Sequence, residues 1–525
     1  MSDKVVLYDT TLRDGAQTEG ISFSVADKLR IAGKLEETGV RYIEGGWPGA
    51  NPKDIEVFRG LKKLRLKKAK VAAFGSTRRP RVRAKDDAGL KGLLKAGTGV
   101  ITIFGKSWDL HVREILKTSL EENLNMIRES VNFLKSRVDE VIFDAEHFFD
   151  GYKRNPDYAI QSLMAAAEGG ADCLVLCDTN GGSVTSDVFR ITEEVRSRVE
   201  APLGIHAHND CELGVANSIA AVQAGCVHVQ GTINGYGERC GNANLTSIAP
   251  ILKLKLGVDC VSGLQLKELT EASRFIAEMS NMKQASNQPF VGTSAFAHKA
   301  GVHVNAILKN PKSYEHIEPE LIGNRRRLLI SELSGKSAIM RKAKELNIKL
   351  HKESPKTKKI LRLLQEREHE GYQFESAEAS FELLMKRAMS KLESFFKCEG
   401  FRVIVELERD GNLISEATVK LKVKGKKEHT AASGDGPVNA LDNALRKALK
   451  DFYPALTKMH LSDFKVRVLD EKAGTAAKVR VLIQSQDEKD SWWTVGVSEN
   501  IIEASWLALA DSVEYKLLKD RKNRR

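Results

Sequence analysis

His206 and His208 stand two apart in Leu203-Gly-Ile-His-Ala-His-Asn-Asp210, a run whose apolar start reads as a β-strand. Residues at that spacing share one face of a strand, so both imidazoles point into the same compartment. Facing outward they would be buried under covering helices with no evident partners. Facing inward at a strand end, with Asn209 and Asp210 following, they suit a borderline divalent ion: Zn2+, Mn2+ or Co2+, with Mg2+ less comfortable beside two imidazoles. Asp14 and Asn242 are available as further ligands; the plainer reading of each is a turn residue beside Gly15 or Gly241. Arg13 offers a guanidinium fork to an oxygen that gains negative charge, and its plainer reading is a surface ion pair.

Such residues need strands that end together, and the chain has that pattern. From Lys4 to about Gly257, short β-branched runs alternate with longer amphipathic stretches, as in repeated βα units on a parallel sheet. Eight strands are expected, at Val5–Tyr8, Arg41–Gly45, Lys70–Phe74, Gly99–Phe104, Glu140–Asp144, Cys173–Cys177, Leu203–Ala207 and Cys226–Thr232. Helices such as Ser24–Thr38, Ser119–Ser136, Pro156–Glu168, Ser183–Arg198 and Gly214–Ala224 separate them. Eight units in roughly 250 residues imply a closed (β/α)8 TIM barrel, and the strand count disfavours a doubly wound open sheet. Polar groups follow the strands at Arg13-Asp14, Glu44, Glu146-His147, Asp178-Thr179-Asn180, His206 to Asp210 and Gly237 to Asn242, so they converge on the C-terminal mouth. Closure makes the first, seventh and eighth strands neighbours, which brings Asp14 and Asn242 toward the histidine pair.

The expected organisation is a barrel over residues 1–270, a mostly helical connector over 271–397 and an α+β domain over 398–525. Gly263 to about Ser280 reads as a helix, charged helices run from Ser334 to Phe396, and Lys349–Lys359 reads as a loop or linker. Strands are expected at Phe401–Glu408, Leu413–Val423, Phe464–Asp470, Ala476–Gln484 and Trp492–Val497. A weak repeat at a spacing of 64 residues sets Pro437-Val-Asn-Ala440 against Ile501-Ile-Glu-Ala504, so this tail is a duplicated unit.

Composition narrows the class. With 42% hydrophobic and 29% charged residues, the 525-residue chain has apolar material for several buried cores. No apolar run spans a bilayer and the N-terminus leads straight into a strand, so a cytoplasmic protein without a membrane partner is expected. The formal charge of +12 lies partly in Lys62–Lys91, a solvated face without interleaved aromatics, which argues against nucleic acid. Seven cysteines with no Cys-x-x-Cys suit reduced thiols.

Three motifs now stand in order: Asp9-Thr-Thr-Leu-Arg-Asp-Gly-Ala-Gln17, His206-Ala-His-Asn-Asp210 and Asn234-Gly-Tyr-Gly-Glu-Arg-Cys-Gly-Asn242. Together they resemble the acyl-CoA-condensing family of 2-isopropylmalate, homocitrate and citramalate synthases. The likeness extends to Gly301-Val-His303, to Tyr314 through Gly323 and to the tail, which looks like the family's regulatory domain. Within the family, Gly105–Val112, Phe148–Pro156 and Gly323–Arg327 look most like the longer-chain citramalate-forming type. The resemblance implies condensation of acetyl-CoA with pyruvate and thioester hydrolysis, giving (R)-citramalate and CoA on a route to isoleucine. It implies Asp14, His206, His208 and Asn242 as metal ligands, Arg13 as partner of the keto oxygen, and Glu146 and Thr179 as contacts to the keto acid. His303 and Tyr314 would act from the other subunit of a homodimer, and isoleucine would be the feedback effector; a dimerisation module without a ligand is the plainer reading of the tail.

Two departures bear on the substrate. Asn305 stands where several relatives carry an acidic residue, and Asp144 and His147 flank Glu146 where a shorter-chain type has an aromatic and an acid. Within the family, a 2-isopropylmalate or homocitrate synthase acting on a larger 2-keto acid is the alternative; bulky Phe74, Phe104, Trp108 and Phe143 favour a small acid. A metal-dependent carbon–carbon lyase or a carboxyltransferase is a further one, although the chain has no Ala-Met-Lys-Met for a biotin carrier.

Overall fold

The computed structural model describes residues 4–48, 52–64, 66–299, 301–328, 354–374, 377–389, 394–409, 411–469, 477–488 and 490–523, with a few single positions between them. They form two compact units, Met1–Phe296 with His316–Arg326, and Ala297–Glu315 with Arg327–Arg525.

In the first unit eight parallel strands close into a barrel: β1 (Val6–Asp9), β2 (Tyr42–Gly46), β3 (Lys70–Ser76), β4 (Val100–Lys106), β5 (Glu140–Glu146), β6 (Cys173–Asp178), β7 (Leu203–Ala207) and β8 (His228–Gly231). Each expected strand is present, with ends moved by a residue or two. Alternation sorts the side chains. Val141, Phe143 and Ala145 of β5, Leu174 and Leu176 of β6 and Ile205 and Ala207 of β7 join the apolar layer under the helices. Tyr8, Ala72, Val100, Ile142, Cys173, Val175 and Cys177 fill the barrel itself. Phe143 therefore does not line a substrate pocket as expected. It sits one residue out of phase with Asp144, and a Cβ on Gly105 would touch both its ring and Ile127 of the covering helix Leu120–Lys135.

The helices follow local rules. Val25–Glu37 starts with a capping box between Ser24 and Asp27. The stretch expected as one helix at Gly263–Ser280 breaks at Glu268 into Gly263–Lys267 and Leu269–Met279. The basic run is not one solvated face: Arg78 is buried and paired with Glu122 and Glu129. Among the described residues no helix is long and apolar enough to cross a membrane.

In the second unit, β9 (Ala297–His298) pairs in parallel with β10 (Arg327–Leu328), and the helix Gly301–Lys309 lies between them in sequence. The first part of the expected helical stretch, from Ser334 to Lys349, lies largely outside the described residues. The linker expected to reach Lys359 is overturned from Pro355 onward, where the helix Pro355–His369 begins behind the cap of Ser354. Its lysines are the solvent face, while Thr357, Ile360 and Leu364 are buried at helical spacing.

The tail is duplicated. β11 (Lys397–Leu407), β12 (Leu413–Val423) and β13 (Lys426–Gly434) form one antiparallel sheet, followed by the helix Pro437–Leu449. β14 (His460–Val468), β15 (Val479–Gln486) and β16 (Ser491–Ser498) form the second, followed by the helix Ile501–Asn523. The sequence reading has no counterpart to β13, whose Lys-Lys-Glu-His start hides its alternation. The signal is Lys424-Gly425, both at positive φ, the two-residue turn of a hairpin. In each repeat the helix's first turn presses on the preceding strand: a Cβ on Gly434 would lie 2.4 Å from the Ala440 nitrogen, and one on Gly496 would lie 2.0 Å from the Ala504 oxygen.

Gly496→Ala is therefore expected to destabilise the tail by about 1–3 kcal/mol through overpacking. Urea unfolding checks this, and an unchanged midpoint would show that the helix does not pack so closely on β16.

Candidate active site

The loop after β1 is wound tightly onto one carbonyl: Arg13, Asp14 and Gly15 all donate their N–H to Thr10 O at 2.9–3.1 Å. Asp9 accepts from the N–H and hydroxyl of Thr11, both at 2.9 Å, and Thr11 Oγ1 accepts from Ile233 N–H beyond β8 at 3.0 Å. Asp14 is thus held against the end of β8 by the backbone before its side chain does anything.

Barrel closure then assembles a cluster. His206 Nε2 lies 3.3 Å from Asp14 Oδ2 and 3.2 Å from His208 Nε2. All three residues are buried, and their ligand atoms lie within 4.8 Å of one another, a group that can hold a metal ion. The electrostatics agree. Burial works against a charged Asp14, but Arg13 and the two imidazoles outweigh it and hold the carboxyl far below its usual range. Burial likewise opposes a charged His206, and Asp14 overcomes it to raise that pKa. His208 is pushed down to about 3 by burial and by the charge on His206. Three donors converging on one point call for a single positive charge there.

Asn242 follows β8 on the same side of the closure. It pairs with His208 across an isolated bridge, and its Nδ2 donates to Tyr236 O at 3.1 Å. Its Oδ1 is buried without a hydrogen-bond partner, so its acceptor capacity is unused. Gly241 makes the turn possible, since at φ +87° a Cβ there would lie 2.0 Å from Gly235 O. Arg239 ties the loops together: it donates twice to Asp210, at 2.7 and 3.0 Å, and once to Thr179 O at 2.8 Å, with Nη2 3.2 Å from His208 Nδ1.

Arg13 is not a surface ion pair. Its Nε donates to the fully buried Glu44 at 2.5 Å, its Nη1 lies 3.5 Å from Asp14, and its guanidinium sits 3.8 Å over the Phe74 ring. Glu44 also accepts from the Tyr8 hydroxyl at 2.8 Å. Phe74 belongs to an aromatic wall with Phe104 and Trp47, at centroid distances of 5.6–5.7 Å. Trp108 packs instead with His111 and His147.

The other expected residues fall in two places. Glu146, at the end of β5, is ion-paired with Lys106 of β4. Thr179 follows β6 and accepts from His147 N–H at 2.8 Å, which holds His147 in a left-handed conformation (φ 55°). His303 and Tyr314 belong to the second unit, where they stack on each other at 4.2 Å and are exposed. Sequence reasoning missed the roles of Glu44, Lys106 and Gln230. The available signal was a polar residue at an inward position of an otherwise apolar strand.

A closed parallel barrel with a carboxylate and two imidazoles buried together at its C-terminal mouth defines the class, a TIM-barrel enzyme whose site can hold a metal ion. The chain belongs to the HMGL-like family, whose model matches residues 4–276. A homocitrate synthase post-HMGL domain-like model matches residues 290–368, and a LeuA allosteric (dimerisation) domain model matches 375–517. Over nearly its whole length the chain is similar to the (R)-citramalate synthase of Aquifex aeolicus, with 58% identity over 522 residues and 99% of each chain covered. It is 59% identical over 516 residues to that of Geobacter sulfurreducens, covering 98% of each. Against the probable 2-isopropylmalate synthase of Methanopyrus kandleri, identity is 31% over 521 residues, again 98% of each.

Because Glu44 is the fully buried partner of Arg13, Glu44→Ala is expected to cost about 3 kcal/mol by leaving the cation with only the longer 3.5 Å pairing to Asp14. Urea denaturation measures this, and a loss under about 1 kcal/mol would mean that the guanidinium is satisfied elsewhere.

Proposed function

We propose that the chain condenses acetyl-CoA with pyruvate and hydrolyses the resulting thioester, releasing (R)-citramalate and CoA in the cytoplasm. The reading is carried by the near-full-length identity of 58–59% to enzymes named for that product. The aromatic wall of Trp47, Phe74 and Phe104 beside Arg13 supports a small keto acid.

Asp14, His206, His208 and Asn242 Oδ1 are the ligands for a divalent ion, Mn2+, Zn2+, Co2+ or Mg2+. When bound, that ion supplies Lewis-acid polarisation of the keto group. Arg13, immobilised between Glu44 and Phe74, donates to the keto oxygen as it gains negative charge, so no reorganisation is needed at the moment of reaction. Thr179 and Glu146 contact the keto acid, and either Glu146, ion-paired with Lys106, or His303 takes the proton from the thioester methyl. The new bond joins that methyl carbon to C2 of pyruvate, the carbonyl electrons move to oxygen, and the alkoxide takes a proton from solvent, to which the base in turn releases its own. Water then adds to the thioester carbonyl and CoA thiolate leaves. His303 and Tyr314 assist this hydrolysis, a role that rests on the family resemblance.

The tail serves as a dimerisation and feedback domain with isoleucine as effector. Phe464, Val466 and Val468 support the dimer reading: spaced two apart on β14, they expose apolar side chains from one face.

A CoA-release assay with acetyl-CoA against pyruvate, 2-ketobutyrate, 2-ketoisovalerate and 2-ketoglutarate is expected to favour pyruvate, and a preference for any other acid would overturn the substrate. Arg13→Ala is expected to lower kcat at least about 100-fold while acetyl-CoA affinity changes little; near-normal turnover would remove Arg13 from the chemistry. Calorimetric titration of isoleucine into the full chain should show heat and inhibition together, and the absence of both would remove the effector.

A further inference from the structure

Inside the barrel, three buried side chains form a line of hydrogen bonds that ends on the metal-ligand cluster. Asp144 of β5 accepts from Gln230 Nε2 at 3.0 Å, and Gln230 Oε1 meets His206 Nδ1 at 2.8 Å. Gln230 is fully buried, and the other two are no more than 6% exposed. Gln230 stands opposite His206 in the β7–β8 register. Its bond to Asp144 spans the barrel interior, because β5 and β8 are not adjacent.

With Asp144 ionised, donor and acceptor chemistry leaves one arrangement. A carboxylate only accepts, so the Gln230 amide must turn its NH2 toward Asp144. That places Oε1 toward the imidazole, and an amide oxygen also only accepts, so the hydrogen at this contact is carried by His206 Nδ1. The order is that of the ionised carboxylate, the form in which Gln230 Nε2 donates to Asp144 Oδ1. The remaining ring nitrogen, Nε2, is the atom 3.3 Å from Asp14 and 3.2 Å from His208.

We infer that Gln230 is a positioning residue, oriented by Asp144, that fixes His206 in its Nδ1–H form and aims Nε2 at the ligand cluster. This deepens the metal-binding reading above and rests on it. It also gives Asp144 a task away from the substrate, as the group that stops a buried amide from flipping. A partner that fixes tautomer and ring orientation is what makes a histidine an effective ligand, and loss of such a partner weakens metal affinity about 10–100-fold.

The test is Mn2+ binding to the full chain, read as free Mn2+ by electron paramagnetic resonance, with no turnover involved. Gln230→Met preserves volume and removes the acceptor, and is expected to raise the Mn2+ Kd about 10–100-fold. Gln230→Glu restores an acceptor at Nδ1, sharing a proton with Asp144, and its Kd is expected to lie closer to the unsubstituted chain than to Gln230→Met. Should Gln230→Met fail to fold, Asp144→Leu, which frees the amide to turn, carries the same expected weakening. The inference is overturned if the folded Gln230→Met or Asp144→Leu binds Mn2+ as the unsubstituted chain does, or if Gln230→Glu is as weak as Gln230→Met. Failure of the unsubstituted chain itself to bind Mn2+ would instead overturn the metal-site reading.

Discussion

Parallel pairing of β1 with β8, from Val6 opposite His228 to Asp9 opposite Gly231, closes the sheet, and the site depends on that seam. Asp14 lies in the loop after β1 and Asn242 in the loop after β8, while His206 stands near the end of β7 and His208 just past it. In an open sheet the first strand would lie at the far edge from the seventh. Closed, it brings a carboxylate within 3.3 Å of an imidazole separated from it by most of the barrel sequence. The hydrogen bonds of Asp9, Thr11 and Ile233 lock the seam next to Asp14.

Closure leaves a second problem, a barrel interior that carries polar groups at full burial. Tyr8, Glu44 and Thr102 are satisfied by one another, and Glu44 also serves Arg13. Asp144, Gln230 and His206 satisfy one another across the lumen. Burial pushes the Asp144 carboxyl up to about 7, with Glu44 adding to it and His206 and Arg13 pulling the other way. A buried polar group without a partner costs more than its bond contributes, so these connected sets rigidify the mouth. Arg13 and His206 are held in place before any substrate arrives, which is what preorganised electrostatics requires.

The sequence exposed whatever strand alternation and short motifs encode. His206 and His208 share a face because they are two apart, and Asp14 and Asn242 follow from strand order. Alternation excludes Phe143 from the pocket: Asp144 faces in, so its neighbour must face the helices. Pairings across the lumen are not local, so nothing near Gln230 in sequence announces Asp144. The same limit hid the Glu44 anchor of Arg13 and the Lys106 partner of Glu146. Charge hides structure in both directions: the Lys-Lys-Glu-His start of β13 masks its alternation, and the lysines at the start of the Pro355–His369 helix mimic a linker.

The β1–β8 seam brings Asp14 to His206 and His208 as a group that can hold a metal ion. Anomalous diffraction from crystals of the full chain soaked in Mn2+ locates the ion without reference to activity. One strong peak bounded by Asp14, His206, His208 and Asn242 Oδ1 is the expected result. A peak elsewhere in the barrel with these four residues left aside, or none at saturating Mn2+, would contradict it.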